Sequence, residues 1–519
     1  MTKSNLLNSV QNKQFGFKAA VQEKVDEIKN LYCSDMIPWV IGYSGGKDST
    51  AVTQLIWIAL SQLQKTKRKK TVYVISTDTL VENPVVALWV QNSLNKMEDS
   101  ANENGLPIAT FNLTPDIKDT FWVNLIGRGY PAPRPRFRWC TERMKINPSN
   151  TFIKQTVAEH NEAIVVLGTR KAESSERAAR INRLQKNSIR EHLIPHTTMP
   201  NAFVYAPISE WSNDDVWLFL MQFANPWGYN NKDLLTMYQG ASTDGECPLV
   251  VDTTTPSCGN SRFGCWVCTM VEQDKSMTAM IQNDEEKRWM EPLLALRNEL
   301  DKPDHKKRDF RRMAGHVQLF DSRKNLQGVK TVPGPYTQEY RGIWLRKLLE
   351  AQKFIQDNPN TPKDVKDIEL IKEQELHEIR RIWILEKHEI EDLLPKIYFE
   401  VFGKQFRVQM LDDSQPFDDA VMHILGEVCE GNDLHFEMMR NLLDVERRYR
   451  SMLKRTNLFK KIDDVIKRTF YEDASDAVNW VTRKAEWRDE IVDSYRRLDR
   501  ESTTNKRTGD HHEVSESST

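Results

Sequence analysis

The sequence predicts an α/β fold in its first half, a parallel sheet flanked by helices, followed by a mostly helical C-terminal region. Three observations carry this. Short β-branched runs alternate with helical patterns from about Pro38 to Phe223, as expected of a parallel sheet covered by helices on both faces. A glycine-rich stretch, Ile41-Gly42-Tyr43-Ser44-Gly45-Gly46-Lys47-Asp48-Ser49-Thr50, lies between the apolar run Ile37 to Ile41 and a segment of helical spacing. From Ser276 onward β-branched runs vanish and long charged segments with helical period take over. The expected organisation is an N-terminal helical segment (1–35), the α/β domain with a cysteine cluster (36–275), the helical region (276–501) and a polar tail expected to be disordered (502–519).

The first strand is Ile37 to Ile41, and the helix after the glycines carries Val52, Leu55, Ile56, Ala59, Leu60 and Leu63 on one stripe. Further strands are expected at Thr71 to Ser76, Pro107 to Leu113, Ala163 to Leu167 and Phe203 to Ile208, with helices such as Val85 to Leu94 and Asn150 to His160 between them. In the second half helical patterns cover Asp284 to Leu300, Thr337 to Ile355, Lys363 to His388 and Leu434 to Met452, with a loop from Asp321 to Pro335. Ligands of such sheets bind beyond the C-terminal ends of the strands, which is where the motifs below fall.

Composition narrows the function classes. The 519 residues carry a net charge of −1, so any nucleic-acid contact must use local patches. No apolar run approaches membrane-spanning length, and Met1 to Phe15 is too polar for a signal peptide. A cytoplasmic location is therefore expected, where thiols stay reduced. The seven cysteines then read as ligands or catalysts before disulfides.

At the glycine-rich stretch, bare backbone amides and the helix N-terminus make an anion cradle. The spacing is not that of a Walker loop, because an aspartate separates Lys47 from Ser49. The pattern Ser44-Gly45-Gly46-Lys47-Asp48-Ser49 instead resembles the PP-loop of ATP pyrophosphatases, which split ATP between its α- and β-phosphates. That resemblance implies ATP and Mg²⁺, with Lys47 and Asp48 among the catalytic residues. Asp78, at the end of the second strand, is placed to accept bonds from ribose hydroxyls or to help hold Mg²⁺. The strong strand at 163–167 runs into Gly168-Thr169-Arg170, with Glu173 and Arg177 following. Gly168 permits close approach of a ligand, Arg170 and Arg177 suit phosphate oxygens, and Glu173 could orient one of them.

Cys258, Cys265 and Cys268 place three thiols within eleven residues. A CxxC pair suits either zinc or an iron–sulfur cluster. Cys140, in Trp139-Cys140-Thr141-Glu142-Arg143, is the best candidate for a fourth ligand, and Trp139, Phe263 and Trp266 could shield a cluster. Cys247 reads as a spare ligand, a sulfur carrier or a structural residue, and Cys33 and Cys429 as core residues.

Taken in order, the Ser44–Ser49 loop, the Asp78 strand end, Trp139 to Lys145, Gly168 to Arg177 and Pro207-Ile208-x-x-Trp211-x-x-x-Asp215-Val216 resemble the phosphoadenylylsulfate reductase family over about residues 36–270. Two departures matter. Trp139 stands where the iron–sulfur branch has one member of a cysteine pair, and no cysteine follows Cys429, whereas the reductases end in a catalytic one. In length, in the segment Phe263-Gly264-Cys265-Trp266-Val267-Cys268 and in the added helical half, the chain is similar to the sulfurtransferases of DNA phosphorothioation. That resemblance implies a 4Fe–4S cluster on Cys140, Cys258, Cys265 and Cys268. It also implies DNA as a partner, together with a cysteine desulfurase and the other DNA phosphorothioation proteins. Basic segments at Arg134 to Arg138, Lys65 to Lys70 and His305 to Arg312 are candidates to hold DNA, the first ranked highest for its closeness to Cys140. The alternatives are a sulfonucleotide reductase, a tRNA-thiolating enzyme, or a metal-bearing scaffold with a degenerate nucleotide pocket.

Overall fold

The computed structural model describes residues 3–135, 137–186, 190–241, 263–319, 331–387, 389, 392–409, 419–450 and 452–509. Six strands form one sheet: β1 (Trp39–Gly42), β2 (Val72–Thr77), β3 (Ile108–Leu113), β4 (Ala163–Val166), β5 (Ile194–Pro195) and β6 (Ala202–Tyr205), in the order β3-β2-β1-β4-β6-β5. All neighbours are parallel except β5, which lies antiparallel on β6. The expected strands are present. The unexpected one, β5, is a two-residue edge strand ending in Pro195, too short for any alternation to be read.

β1 is central, with Trp39 opposite both Val72 and Ile164. Successive side chains point to opposite faces. Trp39 and Ile41 therefore enter one core with α1 (Lys3–Cys33), α2 (Lys47–Gln62) and α3 (Pro84–Glu103), while Val40 enters another with Ile153 of α4 (Asn147–His160). This two-sided burial is why the central strands read as continuous apolar runs rather than alternating ones. From β1 the sheet grows one way through β2 and β3 and the other way through β4 and β6. The crevice of such a reversal therefore lies beyond the C-terminal ends of β1 and β4.

The remaining helices of the first half are α5 (Ser175–Gln185), α6 (Asn213–Gln222) and α7 (Asn231–Gly240). Those of the second half are α8 (Lys275–Asn283), α9 (Glu291–Asp301), α10 (Gln338–Asp357), α11 (Glu373–Arg381), α12 (Leu393–Phe402), α13 (Asp419–Val428), α14 (Asp433–Arg450), α15 (Leu458–Thr469) and α16 (Ala474–Gly509). α16 runs through the first residues of the segment expected to be disordered; 510–519 lies outside the described residues. Among the described residues no helix is long and apolar enough to cross a membrane.

The second core does not respect the chain's division into halves. Phe121, Trp122, Val123, Leu125 and Ile126, from the stretch between β3 and α4, pack with Trp266, Leu293, Trp344, Ile379 and Trp383. The Trp122 indole donates to the Leu370 carbonyl at 2.9 Å and the Trp383 indole to the Ile126 carbonyl at 3.0 Å. The expected helix at 363–388 is broken for the same reason. The Gln352 carboxamide of α10 accepts from the Leu370 and Ile371 amides at 2.8 and 3.4 Å. Val365, Leu370 and Ile371 are all buried at a spacing no helix face provides.

Candidate functional site

The PP-loop leaves β1 at Gly42 and turns into α2 at Gly46. Gly45 has φ +71°, and a Cβ there would stand 2.5 Å from Val90 Cγ2, so both backbone and space require glycine. Gly46 caps α2 without a side-chain bond, leaving first-turn amides for a ligand. The serines tie the loop internally: the Ser44 amide donates to Ser49 Oγ at 3.1 Å, and the Ser49 hydroxyl donates to the Gly46 carbonyl at 3.0 Å. Lys47 Nζ lies 3.0 Å from Asp48 Oδ2, and Arg170 Nε donates to Asp48 Oδ1 at 2.7 Å. Lys47, Asp48 and Arg170 are thus one charge chain along the cleft wall.

This geometry changes two expected roles. Gly168 does not make room for a ligand: a Cβ there would lie 2.9 Å from the Asp48 carbonyl carbon and oxygen, so the close approach is that of the PP-loop's own backbone. Arg170, only 4% exposed, is engaged with Asp48 and with the Trp211 carbonyl at 3.4 Å, which makes it the buried anchor of Asp48. Glu173 does hold an arginine: it pairs with Arg177, while its other oxygen accepts the Arg170 amide at 3.0 Å. Asp78 accepts the Leu80 amide at 2.8 Å, and burial pushes its carboxyl above the ordinary aspartate value.

Ser44, Gly46, Lys47, Asp48, Ser49, Asp78, Arg170 and Arg177 line one cleft of about 1310 Å³. Two further contributors were not read from the sequence. Asp364, Val365, Asp367 and Ile368 of the helical half form part of its wall, because the core ties described above bring that stretch back over the sheet. Tyr238 of α7 lines it too, accepting the Lys47 amide at 3.3 Å. Neither carries a local sequence signal.

The cysteine segment docks on the loop after β2. The Trp266 amide donates to the Val81 carbonyl at 2.9 Å, and the Asn83 amide donates to the Gly264 carbonyl at 3.3 Å. The Cys268 amide closes a turn on the Cys265 carbonyl at 3.0 Å. Cys265 Sγ is 3.3 Å from Thr79 Oγ1 and 3.6 Å from Glu82 Oε1, and Lys145 Nζ is 3.1 Å from the same Glu82 oxygen. Burial, then the Glu82 charge, pushes the Cys265 thiol up to about 12. Burial also raises Cys140, with Cys268 contributing to both. Burial pulls Lys145 down, but Cys265 and Glu82 outweigh it and hold the ammonium above the usual lysine range. Glu82 and Lys145 line the same cleft as the PP-loop, so the charged pair beside Cys265 faces it. Trp139 and Trp266 are buried, as a shield would require. Among the described residues no group of three or more His, Cys, Asp or Glu side chains is arranged to hold a metal ion. Cys258 and Cys247 lie outside the described residues. Cys33 is exposed and Cys429 half-buried, so neither is a core residue.

Several residues of the basic segments are committed to the fold. Arg134 pairs with Asp301 and donates to its carbonyl at 3.1 Å. Arg311 is held by Asp309 and Glu437, Arg308 by Asp304, and buried Lys70 by Asp35 at 2.7 Å. Arg138 is exposed, and Arg136 lies outside the described residues.

Residues 38–270 match the model of the phosphoadenosine phosphosulfate reductase domain family. This part of the chain is similar to that domain, and the match spans less than half of the 519 residues. An uncharacterised protein of Methanocaldococcus jannaschii is 26% identical over 245 residues, which are 47% of this chain and 39% of that protein's length. Among solved structures, the U34-tRNA thiolase NcsA of Methanococcus maripaludis with its 4Fe–4S cluster is 12% identical with a TM-score of 0.27, covering 55% of this chain and 77% of that one. The FMN adenylyltransferase of Candida glabrata in complex with FAD and pyrophosphate is 12% identical with a TM-score of 0.25, covering 62% and 87%.

Proposed function

We propose that the protein cleaves ATP to AMP and pyrophosphate, transfers AMP to a phosphate oxygen of the DNA backbone, and there exchanges that oxygen for sulfur. The observation that carries this reading is one cleft lined by the Ser44–Ser49 loop together with Glu82 and Lys145, of which Glu82 lies against Cys265. The acceptor oxygen attacks the α-phosphorus, the bond to the β-phosphate breaks, and pyrophosphate leaves. The acceptor then carries AMP through an anhydride. Sulfide attacks the acceptor phosphorus, and AMP departs with the displaced oxygen and the sulfur's proton. The choice of DNA rests on the resemblance to the phosphorothioation sulfurtransferase DndC, carried by Phe263 to Cys268 and the helical half. A cysteine desulfurase with a thiol reductant would supply the sulfide.

Lys47 and the loop amides stabilise charge on the departing pyrophosphate, and Arg170 keeps Asp48 in place. Mg²⁺ beside Asp48 and Asp78 would neutralise phosphate charge. Cys268 acts electrostatically on both Cys140 and Cys265 and the CxxC turn is closed, while among the described residues no three such side chains stand as metal ligands. Cys258 would complete the set, and a 4Fe–4S cluster there would supply redox or sulfur-handling chemistry.

Purified protein with Mg²⁺ and ATP is expected to release AMP and pyrophosphate; ADP and orthophosphate as main products would exclude the reading. A host lacking the protein is expected to lose backbone sulfur from its DNA and keep its thiolated tRNA. The reverse pattern would move the acceptor to tRNA, and restored growth of a reductase-deficient strain on sulfate would identify a reductase instead.

A further inference from the structure

Tyr238 stands between the two ends of the cleft. Its hydroxyl accepts the Lys47 amide at 3.3 Å, one of the first-turn amides of α2 that a phosphate oxygen would use. A Cβ on Gly46 would come within 3.2 Å of that hydroxyl, so the ring is seated directly on the cradle. On its other side the ring meets Phe263 edge-on at 4.8 Å between centroids and Trp217 at 5.2 Å. Phe263 begins the segment that carries Cys265 and Cys268, and both Tyr238 and Phe263 line the cleft. Burial raises the Tyr238 hydroxyl to about 12, so at neutral pH it is a neutral group occupying a position suited to an anion.

We propose that Tyr238 is a positioning residue that couples phosphate occupancy of the PP-loop to the placement of the Cys265–Cys268 segment. The arriving phosphate takes the Lys47 amide from the tyrosine. The displaced ring carries its contact with Phe263, and the cysteine segment re-seats against Glu82. Sulfur chemistry then becomes available only when the nucleotide is in place. The proposal rests on the reading of the loop as an ATP-phosphate site.

The test uses the full chain with Mg²⁺ and α,β-methylene-ATP, which binds but cannot be cleaved between those phosphates. Hydrogen–deuterium exchange is followed in the peptide spanning 263–268. In the wild type the analogue is expected to change exchange there about threefold or more, the worth of one hydrogen bond made or lost. Tyr238→Phe removes only the competing oxygen. It is expected to lower the KM for ATP about two- to fivefold with kcat falling rather than rising, since one hydrogen-bond competitor is gone but its message is not sent. Tyr238→Leu is expected to bind the analogue and leave the peptide's exchange unmoved. If Tyr238→Leu does not fold, the KM-against-kcat split in Tyr238→Phe decides. A wild-type response in either variant overturns the coupling. A wild type that binds the analogue while the peptide stays silent overturns the coupling alone, whereas a wild type that binds no analogue overturns the nucleotide reading with it.

Discussion

The two ends of the cleft are held by different means. At the PP-loop the constraint is backbone: Gly45 at φ +71° against Val90, and Gly168 against the Asp48 carbonyl. At the cysteine end distant segments converge, with the Trp266 and Asn83 amides pairing across the join and side-chain contacts added among Thr79 and Glu82 after β2, Lys145 before α4 and Cys265 far downstream. The first kind of constraint is steric, so it fails abruptly. The second is distributed and electrostatic, so it degrades in steps and responds to charge.

The largest effects should come from the rigid end. Asp48→Ala leaves Arg170, 4% exposed, without its carboxylate, and frees Lys47 as well. Breaking such a pair should cost about 2–4 kcal/mol of stability, and pyrophosphate release should fall at least about a hundredfold, as when a preorganised charge is lost. Gly168→Ala should do comparable damage through backbone displacement alone, with Asp48 still present. If Gly168→Ala retains near-normal turnover, the loop is softer than this comparison holds.

At the distributed end Cys265→Ser should lower bound iron in anaerobically purified protein while ATP cleavage falls less than in Asp48→Ala. Iron content and pyrophosphate release, measured on the same sample, check this. Stoichiometric zinc in a colourless, active protein would exclude the cluster.

A smaller contrast separates the basic residues. Arg311→Ala should lower the melting temperature, because the guanidinium is buried between Asp309 and Glu437. Arg138→Glu should leave melting unchanged and weaken DNA retention, an effect that added salt should mimic. Equal melting losses in both would mean that Arg138 is structural too.

A pH-dependent effect concerns Lys387 in the helical half. Burial, then the neighbouring Arg341, pulls its ammonium from 10.5 down to about 8. The folded state therefore holds fewer protons than the unfolded chain between those values, so stability should rise with pH through that window. A gain of up to about 3 kcal/mol across the window is expected. In Lys387→Met the rise should be absent. Parallel pH–melting curves for the two proteins would place the source elsewhere.

What could be read from the sequence was what is local. The strand–loop–helix at 37–63 is legible because its glycines, its apolar run and its helical stripe are contiguous, and each element needs only its neighbours. The central strands appeared because strands buried on both faces are marked by unbroken apolar runs. The same locality explains the misses. Gly168 looks like room for a ligand until Asp48 is seen against it, and Arg170 looks like a phosphate fork until its carboxylate partner, 122 positions away, is placed. The pattern at 363–388 reads as one helix because periodicity cannot register that Gln352 captures the Leu370 and Ile371 amides. The sequence by itself determined the strand–loop–helix at the glycines and the sheet around it. Only the tertiary structure decided that Tyr238 and the 364–368 wall belong to the same cleft, because the wall comes from long-range packing around Trp122 and Trp383 and Tyr238 from its seat against Trp217 and Phe263, which no window of sequence contains.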